Sequence, residues 1–298
     1  MNYEGQICRP PIEKSSFMLP VAVGCAYNRC TFCTLFKHLT YRLLPLEQVE
    51  AELQRVHVLG GNPTQVFLGD GNAFGMDTER LLTILKKISY YFPNCKMVNM
   101  DATVTDILSK TDDELQALQK AGLRHLYLGI ESGLEDVLSF TKKDHDIVQA
   151  EHAIARIQNA GMIFNAHIMT GISGVGRGIE NAEQLAAFFN RTKPKRVINF
   201  SLFLHEKAPL YQDILSKRFR PADELENLLE ARKLIELLDV DNMQYDGFHD
   251  QVELRIWGTL SRDKQKMLER LDSYIDKYRD QEPIYSFVPA SSQSYYCK

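Results

Sequence analysis

The chain has 298 residues, of which 44% are hydrophobic and 25% charged, a composition typical of folded domains rather than of disordered or membrane-spanning chains. Its formal net charge of -4 gives no global electrostatic reason to bind nucleic acid or an anionic membrane. The sequence has no apolar run of about 18 residues, and residues 1–9 lack a basic start followed by an apolar core. We therefore expect a cytoplasmic protein without a membrane partner.

After a lead-in over residues 1–16, the chain alternates short apolar strands with amphipathic helices. The predicted strands cover residues 17–23, 65–68, 96–100, 124–130, 163–169 and 196–204. Helices ending in Ala121-Gly122 and Ala160-Gly161 lead directly into strands, which predicts parallel strands joined by helical crossings. We expect an α/β fold, a partial (β/α)6 TIM-type barrel over residues 17–212.

Beyond residue 212 the strand and helix alternation stops. Two amphipathic helices are predicted over residues 222–238 and 261–278, with a polar stretch over residues 239–251 between them. We expect residues 213–298 to form a C-terminal helical extension of the barrel.

Three cysteines, Cys25, Cys30 and Cys33, lie within nine residues directly after the first predicted strand, with no fourth cysteine nearby. Three thiolates can hold a cubane iron-sulfur cluster and leave one iron open to a small molecule. In a parallel barrel the loops leaving the strand C-termini build the active site, so the position suits catalysis. The scattered cysteines, Cys8, Cys95 and Cys297, are interpreted as ordinary structural thiols.

Other interpretations of these residues stay open at this point. A distant cysteine would close a ferredoxin-type centre, and His38 would complete a zinc site. Glu131 has a structural alternative, because a carboxylate there can cap the helix beginning near Leu134. The basic cluster Arg191, Lys193, Lys195 and Arg196 is interpreted as a solvated helix end.

The cysteine loop is followed, in order, by motifs that resemble those of the radical S-adenosylmethionine (SAM) superfamily. They cover residues 67–72, 128–133, 171–174 and 208–211. The Gly-Cys-x4-Cys-x2-Cys loop resembles that of a bacterial branch related to oxygen-independent coproporphyrinogen oxidase. Two features depart from the common pattern, namely the four-residue gap after Cys25 and Asp70 in place of a glutamate.

The resemblance implies that Cys25, Cys30 and Cys33 bind a [4Fe-4S] cluster that reductively cleaves SAM to a 5'-deoxyadenosyl radical, which abstracts hydrogen from a substrate. The residues expected to contact SAM are Phe32, Gly69, Asp70, Gly71, Glu131, Ser132, Gly171, Gly174 and Arg177. By analogy, residues 69–71 lie near the cofactor's amino group, residues 131–132 near its ribose, and residues 171–174 with Phe32 along its adenine. Arg177 is expected to pair with its carboxylate.

The substrate expected is a small molecule, and the expected electron donor is a protein such as flavodoxin or ferredoxin. His167, His205 and His249 are candidates for contacting the substrate. Modification of tRNA or of a peptide, and electron transfer without catalysis, are the alternative functions, because a fold and a cofactor site serve many reactions.

Overall fold

A computed structural model describes residues 8–291, apart from the side chain of Asp70. The strands are β1 (Phe17–Gly24), β2 (Arg42–Leu43), β3 (Gln65–Gly71), β4 (Met97–Ala102), β5 (Leu123–Glu131), β6 (Ile163–Thr170), β7 (Arg196–Ser201), β8 (Leu204–His205), β9 (Gln244–His249), β10 (Leu254–Thr259) and β11 (Phe287–Val288). The helices are α1 (Leu46–Val58), α2 (Thr78–Tyr91), α3 (Val104–Ser109), α4 (Asp112–Lys120), α5 (Glu135–Phe140), α6 (Ile147–Asn159), α7 (Gly178–Thr192), α8 (Pro209–Leu215), α9 (Glu224–Leu237) and α10 (Leu260–Tyr278).

Nine of these strands form one sheet in the order β10-β9-β7-β6-β5-β4-β3-β1-β2. Strands β1, β3, β4, β5, β6, β7 and β9 pair in parallel, and β2 and β10 pair antiparallel at the two ends. The sheet is therefore a partial barrel, and the predicted α/β fold class is confirmed. The short strands β8 and β11 pair separately.

The helix starts follow from local side-chain chemistry. Asp77 accepts the backbone N–H of Arg80 at the start of α2. Thr111 and Glu114 form the predicted capping box of α4, which satisfies two backbone N–H groups that a helix start leaves unpaired. At the ends of α4 and α6, Gly122 and Gly161 have φ of +113° and +82°, which is the left-handed region that glycine enters without strain.

The core lies between the sheet and the helices that cross it. Leu19, Leu68, Met100 and Leu128, from four adjacent parallel strands, have no exposed surface. Strands covered on both faces read as nearly continuous apolar runs, and this explains why their positions were predictable.

The C-terminal extension contains the two predicted helices, α9 and α10, but it is not only helical. The predicted polar stretch over residues 239–251 includes β9, which pairs in parallel with β7, and β10 follows it. This strand was not predicted because it carries polar residues. One of them, Asp246 on β9, forms an ion pair with Arg255 on β10, with 2.8 Å between Asp246 Oδ1 and Arg255 Nε. The extension thus continues the barrel's own sheet, and the boundary at residue 212 stays a prediction.

Candidate functional site

A cavity of about 400 Å³ opens at the C-terminal ends of the parallel strands. Its wall includes all three cysteines of the loop after β1, the strand-end residues Gly71 and Glu131, and the β6 residue His167. The carboxyl ends of parallel strands face the same side of a barrel, so residues far apart in sequence meet here.

The cysteine loop is closed by Asn28. Its φ of +42° lies in the left-handed region, which asparagine tolerates better than most residues. Its side-chain Nδ2 donates to the carbonyl of Phe36 at 2.9 Å, and its backbone N–H donates to Cys25 Sγ at 3.4 Å. A backbone N–H that points at a cysteine sulfur stabilises its thiolate form.

The loop is also tied to distant parts of the barrel. The backbone N–H of Thr31 donates to the carbonyl of Thr141, and the N–H of Leu210 donates to the carbonyl of Thr31, both at 2.9 Å. Phe32 is buried against Ile172, Phe219 and other apolar side chains while it also lines the cavity. Backbone hydrogen bonds at Thr31 therefore connect the cysteine loop to Thr141 and to Leu210.

Gly71 at the end of β3 allows the cysteine loop to pass directly over it. Its φ is +111°, and a Cβ atom there would lie 2.0 Å from the carbonyl oxygen of Gly24. Only glycine fits this close approach of two backbones. A substitution at residue 71 would therefore displace the loop that carries Cys25.

Within residues 8–291, no group of three His, Cys, Asp or Glu side chains is arranged to hold a single metal ion. A cubane cluster is held differently, because each thiolate binds a different iron. His38 is exposed and does not line the cavity. Burial raises the pKa of the Cys33 thiol to about 11. Three thiols at one cavity wall are donors that fit an iron-sulfur cluster.

Glu131 and Lys143 form a buried ion pair in the cavity wall, with 3.5 Å between Lys143 Nζ and Glu131 Oε1. Burial raises the pKa of the Glu131 carboxyl group, and Lys143 opposes this effect. Burial lowers the pKa of Lys143, but Glu131, Cys30 and Asp144 outweigh it and raise that pKa above its ordinary value. Lys143 is therefore a cation beside the thiols at neutral pH.

Gly129 makes room for this pair. A Cβ atom at residue 129 would lie 2.3 Å from Glu131 Oε1 and 3.1 Å from Lys143 Nζ. Glu131 itself has a φ of +64°, and the pairing of β5 with β6 shifts register between residues 129 and 131. The irregular strand end turns the carboxylate into the cavity, where Oε2 has no hydrogen-bond partner.

The structural alternative for Glu131 is wrong. Helix α5 has no side-chain hydrogen bond capping its start, and Glu131 has Oε1 facing Lys143 and Oε2 without a partner, so the glutamate does not cap this helix. The backbone N–H of Leu134 donates to Ser132 Oγ at 3.1 Å. Ser132 has no exposed surface, and its hydroxyl group donates to Asn181 Oδ1 at 2.7 Å.

The inner wall of the cavity is polar and aromatic. Asp101 at the end of β4 lines it, and burial together with Glu13 raises the pKa of its carboxyl group to about 7. His167 stacks on Phe200 with ring centroids 6.3 Å apart, and its Nε2 has no hydrogen-bond partner. Burial lowers the pKa of His167 to about 4, so its ring is neutral at pH 7. The hydroxyl group of Tyr127, which also lines the cavity, donates to Glu13 Oε1 at 2.5 Å.

The three candidate histidines differ in position. His167 and His205 line the cavity, and burial lowers the pKa of both. His249 does not line it. Its Nδ1 lies 3.1 Å from Ser201 Oγ and 3.0 Å from Glu224 Oε1, in a buried cluster.

Four predicted cofactor contacts do not line the cavity: Gly69, Ser132, Gly171 and Gly174. Arg177 is also outside the cavity, where Nη1 pairs with Asp136 Oδ2 at 2.6 Å and Nε with Glu180 Oε2 at 2.9 Å. The side chain of Asp70 lies outside the described residues, as does Cys297.

The motifs and their positions agree with the match of residues 19–186 to the family model described as the radical SAM superfamily. The chain belongs to the radical SAM superfamily. Members of this superfamily use a [4Fe-4S] cluster and SAM, so the cofactor prediction is confirmed. Among proteins with curated descriptions, none matches the chain in sequence.

Solved structures of radical SAM enzymes share its fold. The coproporphyrinogen III oxidase HemN from Escherichia coli matches with a TM-score of 0.58 and 14% identity, over 74% of this chain and 51% of HemN. Methylornithine synthase matches with a TM-score of 0.55 and 14% identity, over 87% of this chain and 81% of that one. The methyltransferase TsrM from Kitasatospora setae matches with a TM-score of 0.55 and 16% identity. The chain spans 39% of the length of TsrM, over 68% of its own.

The sequence pattern missed two contributors to the site of this radical SAM protein. Lys143 was not singled out, although it follows Glu131 by one short helix. Asp101 lies next to the end of β4, a strand that carried no recognised motif. A charged residue directly after each predicted barrel strand is the signal that would have found Asp101. Cys8, interpreted as a structural thiol, lines the same cavity as the three loop cysteines.

Replacing Cys8 with alanine tests whether the cluster keeps an open iron. We expect Cys8→Ala to retain about four iron and four sulfide ions per chain and to cleave SAM at the wild-type rate, because three thiolates hold the cluster. Iron and sulfide analysis and 5'-deoxyadenosine formation are the measurements. Loss of the cluster in this variant would make Cys8 a fourth ligand and contradict the open site.

Replacing Asp101 with asparagine should stabilise the protein without cofactors. The raised pKa means that the folded chain holds a proton on Asp101 that the unfolded chain releases, so the aspartate costs stability as pH rises from about 4 to about 7. Allowing for water in the cavity, we expect Asp101→Asn to gain about 2 kcal/mol more at pH 8 than at pH 5. Urea unfolding at both pH values measures this, with exposed Asp280→Asn as the control. An equal gain at both pH values would contradict the assignment.

Proposed function

We propose that this chain is a radical SAM enzyme that reductively cleaves SAM at a [4Fe-4S] cluster bound by Cys25, Cys30 and Cys33. The resulting 5'-deoxyadenosyl radical abstracts a hydrogen atom from a small-molecule substrate. The observation that carries the proposal is the meeting of three thiols with a buried Glu131–Lys143 pair in one cavity. The cofactors supply the radical chemistry, and the protein supplies binding, orientation and exclusion of water.

On the cofactor side, Lys143 is the residue we propose for the cofactor's carboxylate. It is a buried cation in the cavity wall and is close enough to Cys30 for its charge to affect that thiol's pKa. Arg177, the residue expected from the sequence, has its guanidinium group engaged by two carboxylates outside the cavity. Glu131, with one oxygen unpartnered, accepts hydrogen bonds from the cofactor's hydroxyl groups in this proposal.

On the substrate side, Asp101 and His167 are the polar groups we propose for substrate recognition. Both line the inner part of the cavity, beside the aromatic side chains of Tyr127 and Phe200. A few polar groups set among apolar and aromatic walls are typical of sites for small molecules. This composition favours a small molecule over a macromolecule as the substrate.

The other basic cluster gives no support to a tRNA substrate. Arg191 pairs with Glu151 across to α6, and Arg196 donates to the side chain of Gln244 on β9. Neither residue lines the cavity. The two arginines of the cluster are thus engaged in contacts within the fold, and Lys193 and Lys195 are exposed.

For the electron donor, the surface around the cysteine loop favours an acidic protein such as flavodoxin or ferredoxin. The sequence has no Asp or Glu from residue 14 to residue 46, although the chain is acidic overall. Arg29 stacks over Tyr27 at 5.9 Å, and Tyr27 donates to the carbonyl of exposed Lys142 at 2.6 Å. Lys37 Nζ donates to the carbonyl of Asn28 at 2.5 Å. These cations surround the loop and complement an acidic partner.

The test is anaerobic reconstitution with iron and sulfide, followed by incubation with SAM and dithionite. The proposal expects about four iron and four sulfide ions per chain, and methionine and 5'-deoxyadenosine in equal amounts. Two irons per chain without SAM cleavage would indicate a ferredoxin-type carrier, and zinc without iron would contradict both. Incubation with a metabolite extract, followed by a search for the compound consumed alongside 5'-deoxyadenosine formation, then addresses the substrate.

A further inference from the structure

The glycine loop after β6, residues 171–177, is held by the C-terminal extension. The backbone N–H of Gly171 donates to Glu230 Oε2 at 2.8 Å, and that of Gly176 donates to Glu226 Oε1 at 2.8 Å. Both acceptors lie on α9, one turn apart. The conformation of the loop therefore depends on side chains from outside the predicted barrel.

The same carboxyl group is linked to the segment after β5 through Asn181 on helix α7. Glu230 Oε1 accepts a hydrogen bond from Asn181 Nδ2 at 2.7 Å. Asn181 Oδ1 in turn accepts from Ser132 Oγ at 2.7 Å and from the backbone N–H of Gly133 at 2.9 Å. Glu230 thus connects the loop after β6 with the segment after β5, the two segments that the sequence resemblance places at the ribose and the adenine of SAM.

The side chains that make these contacts are buried. Glu230 is 1% exposed, and Asn181 and Ser132 have no exposed surface. A Cβ atom at Gly171 would lie 2.5 Å from Asn227 Oδ1, and one at Gly178 would lie 3.1 Å from Glu230 Oε2. Helix α9 therefore lies directly against the loop, and movement of one requires movement of the other.

Burying the carboxyl group of Glu230 lowers the stability of the fold, so stability alone does not explain this residue. Among residues 8–291 no cation is found paired with Glu230, and burial raises the pKa of its carboxyl group to about 8. An apolar side chain at this position would avoid the desolvation of a carboxyl group. One of the Glu230 oxygens accepts from the loop after β6 and the other from Asn181 on α7, and an apolar side chain cannot reproduce this pair of hydrogen bonds.

We propose that Glu230 is a positioning residue for SAM binding, which holds the loops after β5 and β6 in the arrangement that the cofactor requires. The proposal rests on the proposed function, because it concerns the same site. It assigns the C-terminal extension a role in cofactor binding that the barrel motifs do not show.

The test compares Glu230→Gln with Glu236→Gln, the same chemical change on the outer surface of α9. In Glu230→Gln the amide NH2 faces a donor, either Gly171 N–H or Asn181 Nδ2, so one of the two hydrogen bonds is lost. In cluster-loaded protein we expect the Kd for SAM to rise at least tenfold with iron content unchanged. In protein without cofactors, amide exchange should be faster over residues 171–178 and 132–134. Glu236→Gln should match wild type in both.

Folded Glu230→Gln with a Kd within twofold of wild type and unchanged exchange would overturn the proposal. If that variant does not accumulate, it is replaced by Glu226→Ala, at the more exposed end of the contact. For Glu226→Ala we expect about a threefold rise in the Kd for SAM and faster amide exchange at Gly176. No change in either quantity would overturn the proposal. Failure of the wild-type protein to bind SAM would instead contradict the proposed function, and the exchange measurement would still decide the linkage.

Discussion

Cys30→Ala is expected to lose the [4Fe-4S] cluster and, with it, all reductive cleavage of SAM above background, a fall of at least a thousandfold. Two thiolates cannot hold three corners of a cubane, and Cys30 is the middle cysteine of a loop fixed by Asn28 and Thr31. Iron and sulfide content, the absorbance of the oxidised cluster and formation of 5'-deoxyadenosine with dithionite are the measurements.

The matched control is Cys95→Ala, which removes a thiol far from the cavity. Cys95 packs against the main core, and its Sγ donates to the carbonyl of Met97 at 3.5 Å. This variant should keep its cluster and its activity. Dithionite-driven cleavage of SAM by Cys30→Ala would exclude this cysteine as a ligand and would contradict the proposed mechanism.

Lys143→Gln is expected to raise the Kd for SAM by about a hundredfold while the cluster still assembles. The change removes a buried cation next to Cys30 and leaves Glu131, 3.5 Å away, without its charged partner. Breaking a buried pair on one side costs roughly 3–5 kcal/mol, so lower thermal stability should accompany the loss of affinity. Calorimetry with SAM and the SAM-dependent change in the spectrum of the reduced cluster measure the effect.

Two controls separate charge from structure. Lys142→Gln changes the exposed neighbour and should match wild type in both affinity and stability. Lys143→Arg retains the cation and should recover part of the affinity. If Lys143→Gln binds SAM as tightly as wild type, Lys143 does not hold the cofactor's carboxylate, and its pairing with Glu131 is only structural.

Much of the barrel could be predicted because its strands are covered on both faces. Leu68, Met100 and Leu128 are fully buried in short apolar runs, and capping residues such as Thr111 mark where the intervening helices begin. The sequence did not predict strand β9, because Asp246 and His249 give it a polar pattern. Asp246 pairs with Arg255, and His249 Nδ1 lies within hydrogen-bond distance of Ser201 and Glu224; these partners are visible only after folding.

The sequence by itself determined the cofactor chemistry, because the spacing of three cysteines within one loop does not depend on where the fold places that loop. Only the tertiary structure decided which cation faces those cysteines. Lys143 and Arg177 both follow a barrel strand, but Lys143 is buried beside Cys30 and Glu131, whereas Arg177 pairs with Asp136 and Glu180 outside the cavity. Local spacing fixes a ligand set on one loop, but the direction of a side chain into a shared cavity depends on what the rest of the chain packs around it.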